Sequence, residues 1–167
     1  VTRLGRKPTK WKTARSDQTL ADAQGQSDAR TVVLDASAVL ALLYGEPGQE
    51  KIRERLRRRG TKAVMNTVNF SEVAAKLADG GSSSEDPSGG GFEAGEIRDA
   101  IGALALEIQP FDIETALAAG VLRQVTKDRG LSLGDRACVA HAQRIGGMAL
   151  TMDRAWKGLG GVEVIER

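Results

Sequence analysis

Cysteine, histidine and long apolar runs are nearly absent from this sequence: its 167 residues include one cysteine and one histidine. A lone Cys138 cannot build a disulfide framework. It fits a reducing, cytoplasmic setting and reads as a small buried apolar residue rather than a nucleophile. His141 reads as an ordinary helix residue rather than a base or a ligand. Aromatic side chains number only six; Trp156 reads as packing. No apolar run approaches the roughly 18 residues that cross a bilayer, and the polar N-terminus lacks the apolar core of a secretory signal. Neither membrane insertion nor export is expected.

What is present suits one domain. With 41% apolar residues over 167 positions, the chain can bury one proper core and is too short for two comfortable ones. The net charge of +2 is unevenly spread: residues 1–30 carry seven Lys or Arg against three Asp, a net of +4, which leaves the remainder at −2. The basic character therefore belongs to a tail. Residues 1–30 show no period of 2 or 3.6 and are rich in Thr, Ser, Gln and Gly, so they read as a disordered basic extension. A hydrophilic leader, or residues upstream of the natural start, is the preferred reading over phosphate binding. The folded domain is expected over 31–167.

From Thr31 onward, short apolar runs alternate with helical spacing. "TVVL" (31–34), "AVMN" (63–66), "LEIQ" (106–109), "MALT" (148–151) and "VEVI" (162–165) read as five strands. Between them, Ala36, Val39, Leu40 and Leu43, then Phe70, Val73, Ala74 and Leu77, then Ile97, Ile101 and Leu104, then Ile113, Leu117, Val121 and Val125 recur at helical spacing. Another helix should begin near Ser132. This alternation predicts an α/β fold with a mainly parallel five-stranded sheet and helices on both faces. The stretch "DGGSSSEDPSGGGFEAG", residues 79–95, has the composition of a flexible loop inserted between two helices.

In such sheets, ligands bind beyond the carboxyl ends of the strands. Asp35 directly follows the first strand, and Asp153 follows the fourth. Ser37 lies two residues after Asp35, and Thr151 two residues before Asp153. Glu72, in "NTVNFSEVAAKL", falls in the first turn of the helix after the second strand. Asp135, in "LSLGDRACVAHA", falls in the first turn of its own helix. Each acid has a structural explanation. Asn69 to Glu72 and Ser132 to Asp135 match the capping-box pattern, Glu72 can pair with Lys76, and Asp35 and Asp153 can be plain N-caps. Their convergence on one edge is harder to explain by capping alone.

Four carboxylates brought together repel one another, and a divalent cation removes that penalty. With no His or Cys among them, they offer hard oxygen ligands that suit Mg²⁺ or Mn²⁺ rather than Zn²⁺. Such ions activate water and stabilise charge developing on a phosphodiester oxygen.

At these residues the sequence resembles a known family. "VVLDASAVLALLYGEPG", "NTVNFSEVAAKL", "LSLGDRACVAHA" and "ALTMDRAW" look like the four acidic motifs, in order, of the PIN-domain ribonucleases, and within them of the VapC toxins of toxin–antitoxin pairs. The likeness covers about residues 31–167. It implies a three-layer α/β/α sandwich, a Mg²⁺- or Mn²⁺-dependent endoribonuclease acting on RNA such as tRNA or rRNA, silencing by a cognate antitoxin, and a homodimer. Catalytic and metal-binding roles would fall on Asp35, Glu72, Asp135 and Asp153, with Ser37, Asn69 and Thr151 as polar supports. Residues 1–30 and the 79–95 insertion depart from the family pattern without touching a motif.

Basic residues supply a further expectation. "KIRERLRRRG" sets Arg53, Arg55, Arg57, Arg58 and Arg59 around a helix anchored by Ile52 and Leu56. A solvated face explains them. The functional reading takes Arg53, Arg57 and Arg58 as candidate RNA contacts, with Arg136 and Arg154 acting beside the acids. Two other enzyme readings lose ground. A phosphoryl-accepting receiver domain wants further acids on the first strand and a Lys on the last, and an Asp-nucleophile phosphotransferase wants Asp, not Ser, at position 37. A non-catalytic PIN-like module that binds RNA or a partner remains the alternative.

Overall fold

A computed structural model describes residues 31–80 and 91–166. The expectations for residues 1–30 and for most of the inserted loop lie outside the described residues. Among these, five strands and six α-helices alternate: β1 (Thr31–Leu34), α1 (Ala36–Tyr44), α2 (Gln49–Arg57), β2 (Lys62–Asn66), α3 (Thr67–Ala78), α4 (Ala94–Gly102), β3 (Glu107–Gln109), α5 (Ile113–Thr126), α6 (Leu133–Arg144), β4 (Met148–Thr151) and β5 (Val162–Val164). All pairings are parallel, in the order β3-β2-β1-β4-β5. The chain builds outward from β1 to β3 and then crosses back to place β4 on the other side of β1. The strand order thus reverses between β1 and β4, where open α/β sheets form a crevice.

Strand alternation distributes the core to both faces of the sheet. Val32, Leu34, Met65 and Leu150 pack under α1 to α4 with Val39, Ile52, Val73, Leu77, Ile97 and Ile101. Val33, Val64 and Ala149 face the other way, against Cys138, Val139, Ala142 and Trp156. A central strand covered on both sides reads as a continuous β-branched run, as "TVVL" does. The result is the expected three-layer sandwich. Cys138 is fully buried, as its apolar reading anticipated. β3 is a short, largely exposed edge, blunted by an ion pair in which Lys62 Nζ lies 2.8 Å from Glu107 Oε2.

Two element starts differ from expectation. α3 begins at Thr67 with Asn66 as its N-cap, whose Oδ1 accepts from the Val68 and Asn69 amides. Asn69 is therefore inside the helix, and Glu72 stands in its second turn rather than in a first-turn capping box. Two asparagines three residues apart both satisfy the cap pattern, and the strand's earlier end selects the first. The inserted segment also ends sooner than 95, because Ala94 and Gly95 are already helical. Phe92 N donates to Leu77 O at 3.1 Å, returning the chain to the end of α3.

α5 presents the largest surprise. Its apolar positions form a helix, but Ile113, Leu117, Val121 and Val125 are 84%, 63%, 56% and 70% exposed. The side turned inward carries Thr115, Ala119 and Thr126. α5 packs chiefly on α6, antiparallel to it, with Asp112 paired to Arg144 and the Ala119 carbonyl accepting from Arg136 Nη1 at 2.8 Å. An outer helix with one neighbour buries one narrow stripe, and small residues give α5 and α6 their close approach.

Leu34 is fully buried in the central strand directly before Asp35. Leu34→Ala is expected to cost about 2–5 kcal/mol, read from the midpoint shift in urea unfolding. A loss under about 0.5 kcal/mol, the range of surface substitutions, would contradict this packing.

Candidate metal centre

Asp35 is fixed from three directions. Its amide donates to Leu150 O at 3.1 Å, which places it at the β1/β4 crevice. Its Oδ1 caps α1 by accepting from Ala38 N at 2.8 Å, and its Oδ2 accepts from Thr151 Oγ1 at 2.8 Å. Ser37 Oγ donates to the same carboxylate, 2.9 Å from Oδ1 and 3.0 Å from Oδ2. Both hydroxyls also accept: Ser37 Oγ from Met152 N at 2.9 Å and Thr151 Oγ1 from Asp153 N at 3.0 Å. Ser37 and Thr151 thus lace the ends of β1 and β4 together around one carboxylate.

Burial leaves Asp35 only 4% exposed. Desolvation is the main reason its pKa is raised to about 7; the Ala38, Thr151 and Ser37 hydrogen bonds oppose it, and the charge of Asp135 adds to it. Glu72 is also raised, by partial desolvation first and by Asp135 second, with Lys76 opposing. Asp135 itself closes the expected capping box with Ser132: its Oδ2 accepts from Ser132 N at 2.6 Å, and its amide donates to Ser132 Oγ at 3.1 Å. The charge of Asp135 therefore acts on both Asp35 and Glu72.

A buried amide clamp sets the spacing between two of these acids. Asn66 Nδ2 donates to Asn69 Oδ1 at 2.6 Å, and Asn69 Nδ2 donates to Gly134 O at 3.2 Å. The clamp joins the start of α3 to the start of α6. At Gly134 a Cβ would stand 2.5 Å from Glu72 Oε2, so a larger residue there would make that carboxylate swing aside. Asn69 was anticipated as a support. Asn66 and Gly134 were not, although the Asn-x-x-Asn spacing and a glycine directly before Asp135 were there to be read.

Asp153 stands apart. It is exposed, caps the 3-10 helix Arg154–Trp156 through Oδ1, which accepts from Ala155 N at 2.8 Å, and does not contribute to the raised pKa of Asp35 or Glu72. Among the described residues no three Asp, Glu, His or Cys side chains lie close enough to hold an ion as they stand. The donor chemistry nonetheless fits a hard divalent cation: the set is all oxygen, and two of its members carry raised pKa values that a cation would reverse. Asp35 is immobile, whereas Glu72 and Asp153 are exposed and Asp135 is half-buried, so their side chains have room to rotate toward it.

The arginines divide into two groups. Arg136 braces α6 through Ser132 O and Ala119 O, and Arg154 is exposed beside Asp153. The structure does not bring Arg53, Arg57 and Arg58 to the acids. Arg53 reaches Leu42 O near the end of α1 remote from Asp35, and with Arg57 it lines a separate cleft of about 190 Å³ beside Leu42, Leu56 and Leu104. Arg58 is the exposed C-cap of α2. His141 is buried, with Nε2 2.7 Å from Gln109 Oε1, away from any acid cluster.

Residues 32–162 match the family profile described as the PIN domain. Among solved structures, the chain is similar to a toxin–antitoxin complex from Klebsiella pneumoniae, with 17% identity, a TM-score of 0.61, and coverage of 81% of this chain and 98% of that one. It is similar to VapBC2 from Rickettsia felis bound to a DNA fragment from their promoter, with 15% identity, a TM-score of 0.59, and coverage of 81% and 99%. DNA-bound VapBC from Salmonella typhimurium gives 18% identity, a TM-score of 0.59, and coverage of 80% and 96%. At these identities the likeness concerns the fold. No curated protein sequence matches.

The raised pKa of Asp35 has a direct consequence for stability. The folded protein holds the Asp35 proton more tightly than the unfolded chain, so this contribution is fully present below about pH 4 and is lost as pH rises through about 7. The three-unit difference corresponds to at most on the order of 4 kcal/mol. In metal-free buffer, thermal melts should show wild type losing more stability than Asp35→Asn between about pH 5 and pH 8. Parallel pH dependence of the two proteins would rule this out.

Proposed function

The chain belongs to the PIN-domain family, and on that premise we propose that it is a metal-dependent endoribonuclease acting as the toxin of a toxin–antitoxin pair. The nuclease is assigned to residues 31–167, with residues 1–30 as an extension. One observation carries the proposal: a carboxylate buried at the β1/β4 crevice, hydrogen-bonded by Ser37, Ala38 and Thr151 and coupled to Asp135.

Asp35, Glu72, Asp135 and Asp153 are the residues that would hold Mg²⁺ or Mn²⁺. Bound there, the ion supplies an activated water and positive charge against the phosphodiester oxygens. Asp35 provides a rigid anchor. The Asn66–Asn69 clamp ties the start of α3, the helix that carries Glu72, to the start of α6. Glu72, exposed and not engaged as a helix cap, is the carboxylate that would accept the proton of the attacking water. Arg154, exposed next to Asp153, would contact an RNA phosphate. The antitoxin reading is supported by the toxin–antitoxin complexes that share the fold. A cytoplasmic setting agrees with this reading and with the lone buried cysteine.

A homodimer through α5 completes the reading. The stripe Ile113, Leu117, Val121 and Val125 stands exposed among the described residues. Paired antiparallel with a second copy, it sets Ile113 against Val125 and Leu117 against Val121. The same pairing brings Asp112 and Glu114 at one end toward Arg123 and Lys127 at the other, twice over. A noncatalytic PIN-like module that binds RNA or a partner is the second reading, and the failure of three acids to converge as they stand favours it.

Incubating the purified protein with total RNA, with and without Mn²⁺ or Mg²⁺, separates the two. Wild type should cleave only with metal, and Asp35→Asn and Asp135→Asn should each lose activity by about 100-fold or more, as loss of a principal charge-stabilising group does. Cleavage that survives chelation or both substitutions would refute the metal mechanism, and RNA binding without cleavage would favour the second reading. For the dimer, sedimentation should show a two-chain species in wild type and a monomer in Leu117→Glu/Val121→Glu. An unchanged mass would remove α5 from the interface.

A further inference from the structure

An open cavity of about 560 Å³ lies directly beside the proposed centre. Its floor is the outer side of α3, where Thr67, Ser71 and Ala75 recur at i, i+4 and i+8 and leave a shallow channel. Glu72 and Gly134 close the side toward the acids, and Phe111 closes the other. Phe111 follows β3 at the sheet's carboxyl edge, and its amide donates to Thr67 Oγ1 at 3.0 Å, fixing the loop that carries it to the head of α3. It is half-buried, whereas the other described aromatic side chains, Tyr44, Phe70, Phe92 and Trp156, lie outside this cavity.

Resting on the nuclease reading, we infer that this cavity is a subsite for one unpaired nucleobase of the RNA, next to the phosphate to be cut, with Phe111 as its stacking wall. Single-stranded RNA is held by proteins through bases splayed out of their stack and laid against aromatic rings, while the backbone passes the charged groups. The cavity has that division. One wall is aromatic, the adjoining wall belongs to the proposed metal centre, and the floor offers small side chains over which a flat ring can lie. The Ser71 hydroxyl both donates and accepts, and Thr67 Oγ1, already accepting from Phe111 N, keeps its proton to donate. A base edge of either polarity is therefore satisfied, and the subsite selects an unpaired base more than a particular one. An A-form duplex, whose bases remain stacked, cannot enter it.

The test uses the full chain carrying Asp35→Asn, which binds without turnover, and a labelled single-stranded oligoribonucleotide followed by fluorescence anisotropy. Phe111→Ala added to this background should weaken binding roughly tenfold, the usual loss of one base–aromatic stack. Phe111→Leu, which retains apolar bulk without a ring, should lose nearly as much, while Phe111→Tyr should bind like the parent. Replacing each nucleotide in turn with an abasic site should reveal one position whose loss equals that of Phe111→Ala, and combining the two should cost nothing more. If the parent binds RNA and Phe111→Ala binds equally, or if Phe111→Leu binds like the parent, the subsite is refuted while the nuclease reading stands. If the parent binds no RNA, the RNA reading falls and the subsite with it.

Discussion

A single buried carboxylate organises the crevice on which everything else depends. Asp35 leaves a strand covered on both faces and is drawn out of water by that position, at a cost in pKa that its hydrogen bonds only partly offset. Those hydrogen bonds come from two parts of the chain. Ala38 belongs to the helix that Asp35 starts, Ser37 to the same first turn, and Thr151 to a strand more than a hundred residues away. Because Ser37 and Thr151 also accept from the amides after β4, losing the carboxylate would unpair donors on both sides of the switch point. The same network therefore holds β1 to β4 and fixes one carboxyl group at the crevice.

Around this anchor the helices have unequal tasks. α3 and α6 are tied at their N-termini by Asn69, and α6 approaches the sheet closely because Gly134, Ala137, Cys138 and Ala142 present almost no bulk. α5 is held by α6 through small and hydroxylated residues and keeps its larger apolar side chains outside. A helix that packs chiefly on α6 rather than on the sheet contributes little to the core. Its outward apolar stripe is the surface that the proposed dimer would cover.

Much of this was legible in the sequence, and the failures have identifiable causes. The five strands fall within a residue or two of their expected spans because each is a short β-branched or apolar run between turn residues, and Asp35 and Asp153 follow two of those strands immediately. Glu72 was misregistered by one turn because Asn66 and Asn69 are equally good caps, and only the β2–β3 pairing through Asn66 decides between them. The orientation of α5 was hidden for a different reason. Spacing shows that four apolar residues share a face, but which face meets a neighbour depends on whether the helix lies on the sheet or on another helix. The arginines of α2 show the same limit: their charge is plain in the sequence, while their separation from Asp35 follows from the path of α1.

Capping does not compete with the proposed metal role of the acids. A helix N-terminus points its free amides toward the carboxyl edge of a parallel sheet, so an acid that satisfies those amides is delivered to the edge by the same act. A cap needs only one oxygen. Asp135 gives Oδ2 to Ser132, and Asp153 gives Oδ1 to Ala155; neither second oxygen has a hydrogen-bond partner among the described residues. Asp35 alone has both oxygens engaged, and it is also the acid whose charge is most penalised by burial. A cation arriving at this edge would meet one ligand already locked in place and others free to swing toward it. The proposed role requires those side chains to rotate toward Asp35 as a cation offsets the charge that Asp135 places on Asp35 and Glu72.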